Sequence, residues 1–426
     1  MQFQFQFQFQ FLFLLNLFTL IFCNITQIHL SQGKNISYMI ITYISPFKND
    51  SLIKYGTDIN NLNLKTYSNY TTYNYTENNI FYNSKYIYTG ILYNLKQNTD
   101  YYYRCSNNNI ISFKTLSEHK TLFIGVVGDL GQTNYSKLVV HNITENKKLS
   151  MILYTGDLSY ALNNQTKWDT FGELIEKSAS KIPWMITPGN HEIEYSKNNS
   201  IYLAFEKRYR MPEIKPAQFN NTLIKTSTSN PKLFLSDYNF GNAFYSFNSG
   251  YVHIISLNSY SRSDLYSKQY KWLEKDLKKI NREKTPWVFV IMHVPWYSSQ
   301  FNIKDTLQYT YMRDYIEPLL YKYSINIVFA GHKHIYERTY KIYKNKVNKN
   351  GIIYITTGNG GYLDNYYSNT IQNKKLIAIK NIIDHGYGEL EIKNKNTLTW
   401  RWYSIEHQKY LDIIDIKNKY LRKEYL

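Results

Sequence analysis

The stretch LFIGVVGDLG occupies residues 122–131 and decides the fold of this chain. The apolar run Leu122 to Val127 is typical of a buried strand, and Asp129 lies between two glycines in the turn that follows. Four later stretches repeat the pattern of an apolar run ending in polar residues: Gly156-Asp157-Leu158-Ser159-Tyr160, Gly189-Asn190-His191-Glu192, Val290-Ile291-Met292-His293 and Gly331-His332-Lys333-His334. Because open α/β sheets place their sites at the carboxyl ends of strands, these polar side chains are predicted to converge.

The segments between the motifs indicate the rest of the layering. The apolar runs predict strands at residues 122–127, 151–154, 184–186, 287–292 and 326–330. Residues 264–279 predict an amphipathic helix, since Leu265, Trp272, Leu273 and Leu277 recur at near-helical spacing among lysines and glutamates. The alternation predicts a layered α/β domain with helices on both faces of its sheet.

The motif residues are suitable ligands for two adjacent metal ions, which activate water for attack on a phosphate ester. Asp157 offers two carboxylate oxygens, which can bridge cations held about 3.5 Å apart. The neutral ligands expected for a divalent ion are Asn190, His293 and His332. The other site is expected to use Asp129, Tyr160 and His334, where a phenolate favours a more highly charged ion such as Fe(III).

Together the five motifs resemble those of purple acid phosphatases, a branch of the calcineurin-like metallophosphoesterases. The wider superfamily usually carries a metal-binding histidine two residues after the first aspartate, whereas here Gly131 takes that place and Tyr160 appears in the second motif. The likeness continues through residues 241–260, 269–297 and 386–403. It implies a β-sandwich-type metallophosphoesterase catalytic domain with flanking helices. It also implies Fe(III) plus a divalent ion (Zn, Fe or Mn) and acid phosphatase activity, in which a metal-bound hydroxide attacks phosphate monoesters.

His191 is the candidate catalytic residue outside the ligand set. It follows the ligand Asn190 in the same loop, so it is expected to stabilise the transferring phosphoryl group or to protonate the leaving oxygen. Many family members carry further histidines several residues after the His293-Val294-Pro295 stretch, but residues 298–306 here contain none. Lys304 and Asp305 are the substitutes for a leaving-group acid within that segment.

Two other function classes remain open from the sequence. The same metal centre could serve a phosphodiesterase or nucleotide pyrophosphatase if the pocket is open. A non-catalytic secreted metal-binding protein is the other alternative, and the absent histidines favour it. A protein Ser/Thr phosphatase is disfavoured, because Leu158-Ser159-Tyr160 replaces the Asp-Arg-Gly continuation of those enzymes.

The N-terminal quarter of the chain has a different pattern. Short runs at residues 38–43, 84–88, 101–105 and 110–113 are separated by polar turns, which suits a small β-sandwich. The stretch Leu92 to Arg104 also resembles the fibronectin type III-like domain of plant-type purple acid phosphatases. We therefore predict a fibronectin type III-like, structural β-sandwich domain at residues 24–117 and the metallophosphoesterase catalytic domain at residues 118–426.

The leader indicates the compartment. Residues 1–23 alternate Gln with Phe and then run apolar from Phe11 to Phe22, which favours a cleaved secretory signal peptide over a retained anchor. Secretion, or an acidic vacuole or vesicle, is expected, and sequons such as Asn35-Ile36-Ser37 are compatible with a glycoprotein. If Cys23 leaves with the signal, Cys105 remains as the single cysteine and no internal disulfide forms.

The net charge of +18 invites a nucleic-acid interpretation, which the distribution of the charge disfavours. Lysines are scattered among Asn, Tyr and Ile, whereas a specific binder gathers its charge on one face. The predicted partner is a phosphate ester, with no nucleic acid and no stable membrane span, and the oligomeric state stays open.

The remaining histidines receive separate interpretations. His253 lies in an apolar run and is predicted to be a packed core residue, while His385 stays undecided. Four others have no partner motif and are predicted to lie on the surface: His29, His119, His141 and His407.

Overall fold

The computed structural model of this protein describes residues 25–77, 80–118, 121–194, 201–212, 238–300, 306–363, 374–381 and 384–418. Among the described residues, the regular elements before residue 119 are all strands, and the segment after residue 120 contains two large sheets with helices between their strands. Cys23, His119, Lys304 and Asp305 lie outside the described residues.

The N-terminal segment is a sandwich of two four-stranded sheets. Its strands are β1 Thr26–Gln32, β2 Met39–Ser45, β3 Leu52–Gly56, β4 Leu64–Tyr67, β5 Asn69–Thr71, β6 Asn74–Glu77, β7 Ile80–Asn83, β8 Tyr86–Leu92, β9 Asp100–Cys105 and β10 Ile111–Lys114. The sheets have the orders β1-β2-β8-β5 and β10-β9-β3-β4, and β6 and β7 form a separate hairpin. Inward-facing tyrosines fill the sandwich, with Tyr43 stacked on Tyr88 at 5.2 Å between ring centroids. Cys105 is buried there as a free thiol.

The segment after residue 120 is built on two mixed sheets that pack face to face. The first sheet has the order β13-β12-β11-β22-β23-β24. Its strands are β11 Leu122–Val127, β12 Met151–Tyr154, β13 Trp184–Ile186, β22 Gly386–Ile392, β23 Thr397–Ser404 and β24 Lys409–Lys417. Pairing is parallel from β11 to β12 and from β12 to β13.

The second sheet has the order β14-β15-β16-β17-β20-β18-β19, with β21 paired to β18. Its strands are β14 Tyr245–Ser249, β15 Val252–Ser256, β16 Trp287–Ile291, β17 Ile327–Ala330, β18 Tyr336–Tyr343, β19 Lys346–Val347, β20 Ile352–Thr357 and β21 Ile377–Asn381. Aromatic side chains join the two sheets, as where the rings of Phe329 and Trp400 lie 5.4 Å apart. The fold class implied by the family resemblance, a β-sandwich-type domain with flanking helices after a small all-β domain, is confirmed. The alternation of strands and helices predicted one sheet with helices on both faces, which is wrong in detail because two sheets pack against each other.

The described helices lie in connections between strands, four of them between parallel strands. They are α1 Asn134–Glu145, α2 Thr166–Ala179, α3 Leu203–Arg208, α4 Lys268–Lys279 and α5 Thr306–Lys322, with 3-10 turns at Asn190–Glu192 and Lys374–Leu376. Helices α1 and α2 link the parallel strands of the first sheet, and α4 and α5 link β15, β16 and β17 of the second. Each such crossover brings the next parallel strand in the same direction, so the carboxyl ends of these strands lie side by side. The loops after β11, β12, β13, β16 and β17 meet at these ends. No helix in the described part of the chain is long and apolar enough to cross a bilayer.

Two expectations drawn from the sequence are wrong in detail. The helix expected at residues 264–279 begins only at Lys268, because the Ser267 side chain caps it by accepting the Tyr270 N–H at 3.1 Å. Leu265 therefore lies outside the helix and is 51% exposed. His29 was expected at the surface but is buried, because β1 packs against α2. The His29 ring lies 4.9 Å from the ring of Tyr209.

The other histidines with a described position agree with expectation. His141 and His407 are exposed, and His253 is buried in β15. His385, which the sequence left undecided, stacks on Tyr135 at 4.1 Å and lies 2.7 Å from a carboxylate oxygen of Glu406. These contacts give His385 a structural role.

Candidate metal centre

The loops that carry the motif residues adopt left-handed backbone conformations. The φ angles are +55° at Asp129, +56° at Asp157, +48° at Tyr160 and +66° at His332. Residues other than glycine seldom adopt this backbone conformation, and such backbone strain is concentrated at functional sites. The strain is maintained by the packed strands on either side of each loop.

Glycines let these loops approach each other closely. A Cβ on Gly189 would lie 2.1 Å from Oδ1 of Asp157, and one on Gly156 would lie 2.6 Å from Nδ1 of His293. Gly156 also has a φ of +92°. Any larger residue at either position would separate the loops, which explains the glycine that precedes these motif residues.

One cluster of polar atoms forms between the two sheets around Asp129. The Tyr160 hydroxyl donates to Oδ1 of Asp129 at 3.1 Å and lies 2.9 Å from Nε2 of His334. The same His334 nitrogen is 3.4 Å from Asp129 Oδ1. The structure thus brings together a carboxylate, a phenol and an imidazole, which form a donor set suited to a trivalent ion.

A second cluster surrounds the amide oxygen of Asn190. Nε2 of His293 and Nδ1 of His332 both lie 3.0 Å from that oxygen. Asp157 joins the cluster through Oδ2, which is 3.1 Å from Nε2 of His293. Asp157, His293 and His332 form a group that could hold a metal ion.

The tautomer of His293 shows that a cation fits here. Its Nδ1 faces the Thr155 carbonyl oxygen at 2.8 Å and must carry the hydrogen, because a carbonyl only accepts. In the neutral ring the lone pair of Nε2 therefore points toward Asp157 Oδ2, another acceptor. Two acceptors at this distance require a proton or a metal ion beside them.

The pKa values reflect the same demand for positive charge. Burial acts to lower the pKa of His293, yet the carboxylates of Asp157 and Asp129 raise it to about 9. Burial acts to raise the pKa of Asp157, but the charges of His293 and His191 hold it below its usual range. Burial, followed by the charge of Asp129, raises the pKa of the Tyr160 phenol well above its ordinary value. A strong cation is therefore needed to convert Tyr160 into a phenolate ligand.

Glu192 is a supporting residue to which the sequence gave no role. Its carboxylate accepts the backbone N–H groups of Gly189 at 2.7 Å, Asp157 at 2.8 Å and Leu158 at 2.9 Å. It thereby ties the loop that carries Asp157 to the loop that carries Asn190. The only signal in the sequence is its place in the third motif, directly after His191.

Tyr362 is a second residue that the sequence did not reveal. Its ring stacks on that of Tyr160, with 3.5 Å between centroids and 4° between planes. Gly131 makes room for this contact, since it has a φ of +58° and a Cβ there would lie 2.8 Å from the Tyr362 ring. No motif marks Tyr362, because the loop that carries it comes from a distant part of the chain.

His191 lies at the rim of the two clusters. Its backbone N–H donates to Oδ1 of Asp157 at 2.8 Å, and its Nε2 is 4.0 Å from Oδ2 of the same residue. The side chain is 18% exposed, and burial lowers the pKa of its imidazole. It is therefore placed to meet a ligand that enters from solvent.

Glu337 and Arg338, which follow the last motif, have structural contacts. Glu337 accepts the backbone N–H of Ser299 at 2.9 Å, and Arg338 forms a two-point ion pair with Asp412. Both side chains therefore have structural roles.

Sequence models of known families cover most of the chain. The model described as "Purple acid Phosphatase, N-terminal domain" matches residues 25–118, "Calcineurin-like phosphoesterase" matches residues 123–336, and "Iron/zinc purple acid phosphatase-like protein C" matches residues 351–412. Purple acid phosphatase 21 of Arabidopsis thaliana is 35% identical over 382 residues, which cover 88% of this chain and 80% of the relative. The chain belongs to the purple acid phosphatase family.

Two further relatives of this purple acid phosphatase are informative. Fe(3+)-Zn(2+) purple acid phosphatase 12 of Arabidopsis thaliana is 30% identical, over 88% of this chain and 80% of the relative. The solved structure of purple acid phosphatase PPD1 from yellow lupin superposes with a TM-score of 0.79 over 95% of this chain and 76% of the other, at 22% identity, which supports the fold. The predictions of an acid phosphatase that acts on phosphate monoesters, and of a binuclear centre with iron and a divalent ion, are confirmed by the family.

Proposed function

We propose that Asp129, Tyr160 and His334 hold the iron of this phosphatase, that Asn190, His293 and His332 hold the divalent ion, and that Asp157 bridges the two. The observation that carries this assignment is the place of Asp157. Its Oδ2 lies 3.1 Å from Nε2 of His293, and its charge is one of the causes that raise the pKa of the Tyr160 phenol, which lies in the same loop. When bound, a pair of metal ions supplies Lewis-acid activation of the attacking water and of the phosphoryl oxygens.

The protein's own residues orient the reaction. Glu192 holds the two ligand loops at a fixed separation, and the Thr155 carbonyl fixes the ring of His293 so that Nε2 faces inward. His191 occupies the rim, where its imidazole meets the phosphoryl or leaving oxygen of an entering ester and gives up a proton in acid.

Metal content and the visible spectrum test this ligand assignment. Asp157→Asn is expected to lower the content of both metals, whereas His334→Ala removes mainly iron with its visible band and His293→Ala mainly the divalent ion. His253→Ala is the matched control, because His253 is also a buried histidine but pairs with Asp276. Full retention of both metals in Asp157→Asn, at parental folding, would contradict the bridging role.

The finer features of the protein form part of the same proposal. We assign a structural fibronectin type III-like domain to residues 24–117 and the catalytic domain to residues 118–426, since the boundary falls between β10, which ends at Lys114, and β11, which begins at Leu122. We also assign residues 1–23 to a cleaved secretory signal, which directs the enzyme out of the cell or into an acidic vacuole or vesicle. N-terminal sequencing of the mature protein tests this, and a mature chain that still begins at Met1 would contradict it.

The ligand of this enzyme is taken to be a phosphate ester and not a nucleic acid, because the positive charge is not gathered on one face. A panel of monoesters, diesters and oligonucleotides tests that choice. Faster turnover of diesters than of monoesters would favour a phosphodiesterase.

A further inference from the structure

A cavity of about 410 Å³ lies along β14, the edge strand of the second sheet. It opens between strand β14, the end of helix α4 and the turn that follows the helix. His253 near the start of β15 contributes to its wall, whereas Asn258 to Tyr260 beyond the end of β15 reach the Asn190 cluster. At about 3.3 Å per strand residue, His253 is on the order of 15 Å from Asn258. None of the described residues that line the cavity is a proposed metal ligand.

Three lysines line this cavity: Lys34, Lys279 and Lys284. We call it the lysine cavity. All three are exposed, and none has an ion pair with an acidic side chain in the described part of the chain. They come from two separate segments. Lys34 lies between β1 and β2, whereas Lys279 ends α4 and Lys284 lies in the turn that follows it, so their meeting at one cavity is a product of the fold.

The one carboxylate in the wall is already occupied. Asp276 accepts the Ser246 hydroxyl at 2.7 Å and faces Nε2 of His253 at 2.9 Å. Nδ1 of His253 lies 2.6 Å from the side-chain oxygen of Asn248. The acid is thus held within a hydrogen-bonded wall, and the three lysine charges exceed its single negative charge.

The cavity is larger than an inorganic anion requires. Ligand pockets for small organic molecules span roughly 300–1,000 Å³, so about 410 Å³ accommodates an anion together with an organic group. Trp272 and Phe247 supply apolar ring surface in the lining, and Thr285 and Asn281 supply polar groups. Lysines act as point-charge ligands for phosphate, and aromatic rings bury a planar substituent.

We propose that the lysine cavity is a second, non-catalytic binding site for a small organic phosphate, with the phosphate on the lysines and its organic group against Trp272. The site is separate from the metal centre, so its occupation does not depend on turnover. Inorganic phosphate and phosphate esters share the recognised group, and the aromatic lining favours the ester.

Calorimetric titration of the metal-loaded enzyme tests the proposal. Phenylphosphonate is the first probe because its carbon–phosphorus bond replaces the ester bond that the enzyme cleaves, and inorganic phosphate is the second. The parent is expected to bind two equivalents of phenylphosphonate. The second site should bind phenylphosphonate more tightly than inorganic phosphate, by about tenfold for one buried ring.

Lysine substitutions identify the site of the second equivalent. The double variant Lys279→Gln with Lys284→Gln should raise the dissociation constant of the second equivalent by about tenfold or more for each charge removed. The kcat/KM for an aryl phosphate should stay at the parental value. The matched control is Lys271→Gln with Lys275→Gln, which removes two exposed charges from the same helix outside the cavity. This control should keep both equivalents.

Trp272→Leu and Lys34→Gln separate the two halves of the proposal. Trp272→Leu should abolish the preference for phenylphosphonate over inorganic phosphate. Lys34→Gln, which removes a charge from a different segment of the chain, should weaken the binding of both probes. A single equivalent in the parent, or a second equivalent that survives in the Lys279/Lys284 double variant, would overturn the assignment. Equal loss in the control double variant would show a general charge effect and would also overturn it.

Discussion

Replacing Glu192 by glutamine should weaken the metal centre although every proposed ligand is retained. The carboxylate is 1% exposed and accepts three backbone N–H groups, from Asp157, Leu158 and Gly189. One oxygen accepts two of them and the other oxygen accepts the third. A glutamine can offer its carbonyl oxygen at only one of these places, so its NH₂ group faces the remaining N–H.

The cost follows from that count of donors. One buried N–H loses its acceptor, which costs about 1–3 kcal/mol, and the opposed NH₂ group keeps the loss near the upper end. For a domain of this size, about 2–3 kcal/mol lowers the midpoint of thermal unfolding by roughly 5 °C. Burial and the charge of Asp157 raise the pKa of Glu192 to about 8 without metals, and cations beside Asp157 lower it again. The loss should therefore be larger in the metal-loaded protein, where the carboxylate form prevails.

The assay is calorimetric unfolding with and without metals, together with metal content after dialysis. Glu194→Gln is the matched control, since Glu194 is also buried and accepts three donors, from Asn163, Gln165 and Trp168, but contacts no proposed ligand. It should lower stability similarly and leave metal affinity intact. Parental metal affinity in Glu192→Gln, or equal metal loss in both variants, would refute the idea that Glu192 positions the ligand loops.

Three further predictions concern colour, acid stability and leaving-group chemistry. Tyr160→Phe should abolish the visible charge-transfer band, whereas Tyr362→Leu should shift its wavelength while iron content stays constant; an unshifted band would mean that the stacked ring has no influence on the phenolate. Burial lowers the pKa of His29 from 6.5 to about 4, so below pH 6.5 the unfolded chain binds a proton that the folded protein does not. The free energy of unfolding should therefore fall by up to about 3 kcal/mol as the pH falls from 6.5 to 4. His29→Leu should flatten that acid dependence of the unfolding midpoint, and the exposed control His141→Leu should leave it unchanged. His191→Ala should reduce kcat/KM more for alkyl than for aryl phosphates, and an equal reduction would show that His191 binds phosphate without protonating the leaving oxygen.

Some features of this enzyme were predictable because local sequence patterns carry them. The strands at 122–127, 151–154 and 184–186 have the expected bounds, since apolar runs closed by glycine turns allow few alternatives. The helix near residue 268 was predicted with the wrong start, because the cap at Ser267 depends on one hydrogen bond that spacing does not show. The burial of His29 was missed because it depends on contact with α2, which is far away in the sequence.

The sequence alone determined the chemistry of the site, because the order and types of the motif residues specify which donors are available. Only the tertiary structure decided how those donors meet. Asp129, Asp157 and Asn190 follow strands of one sheet, and His293 and His332 follow strands of the other, so the centre exists only where the two sheets pack together. Tertiary packing also brings Tyr362 onto Tyr160 and places Lys34 at one cavity with Lys279 and Lys284, and no local pattern encodes contacts between segments so far apart.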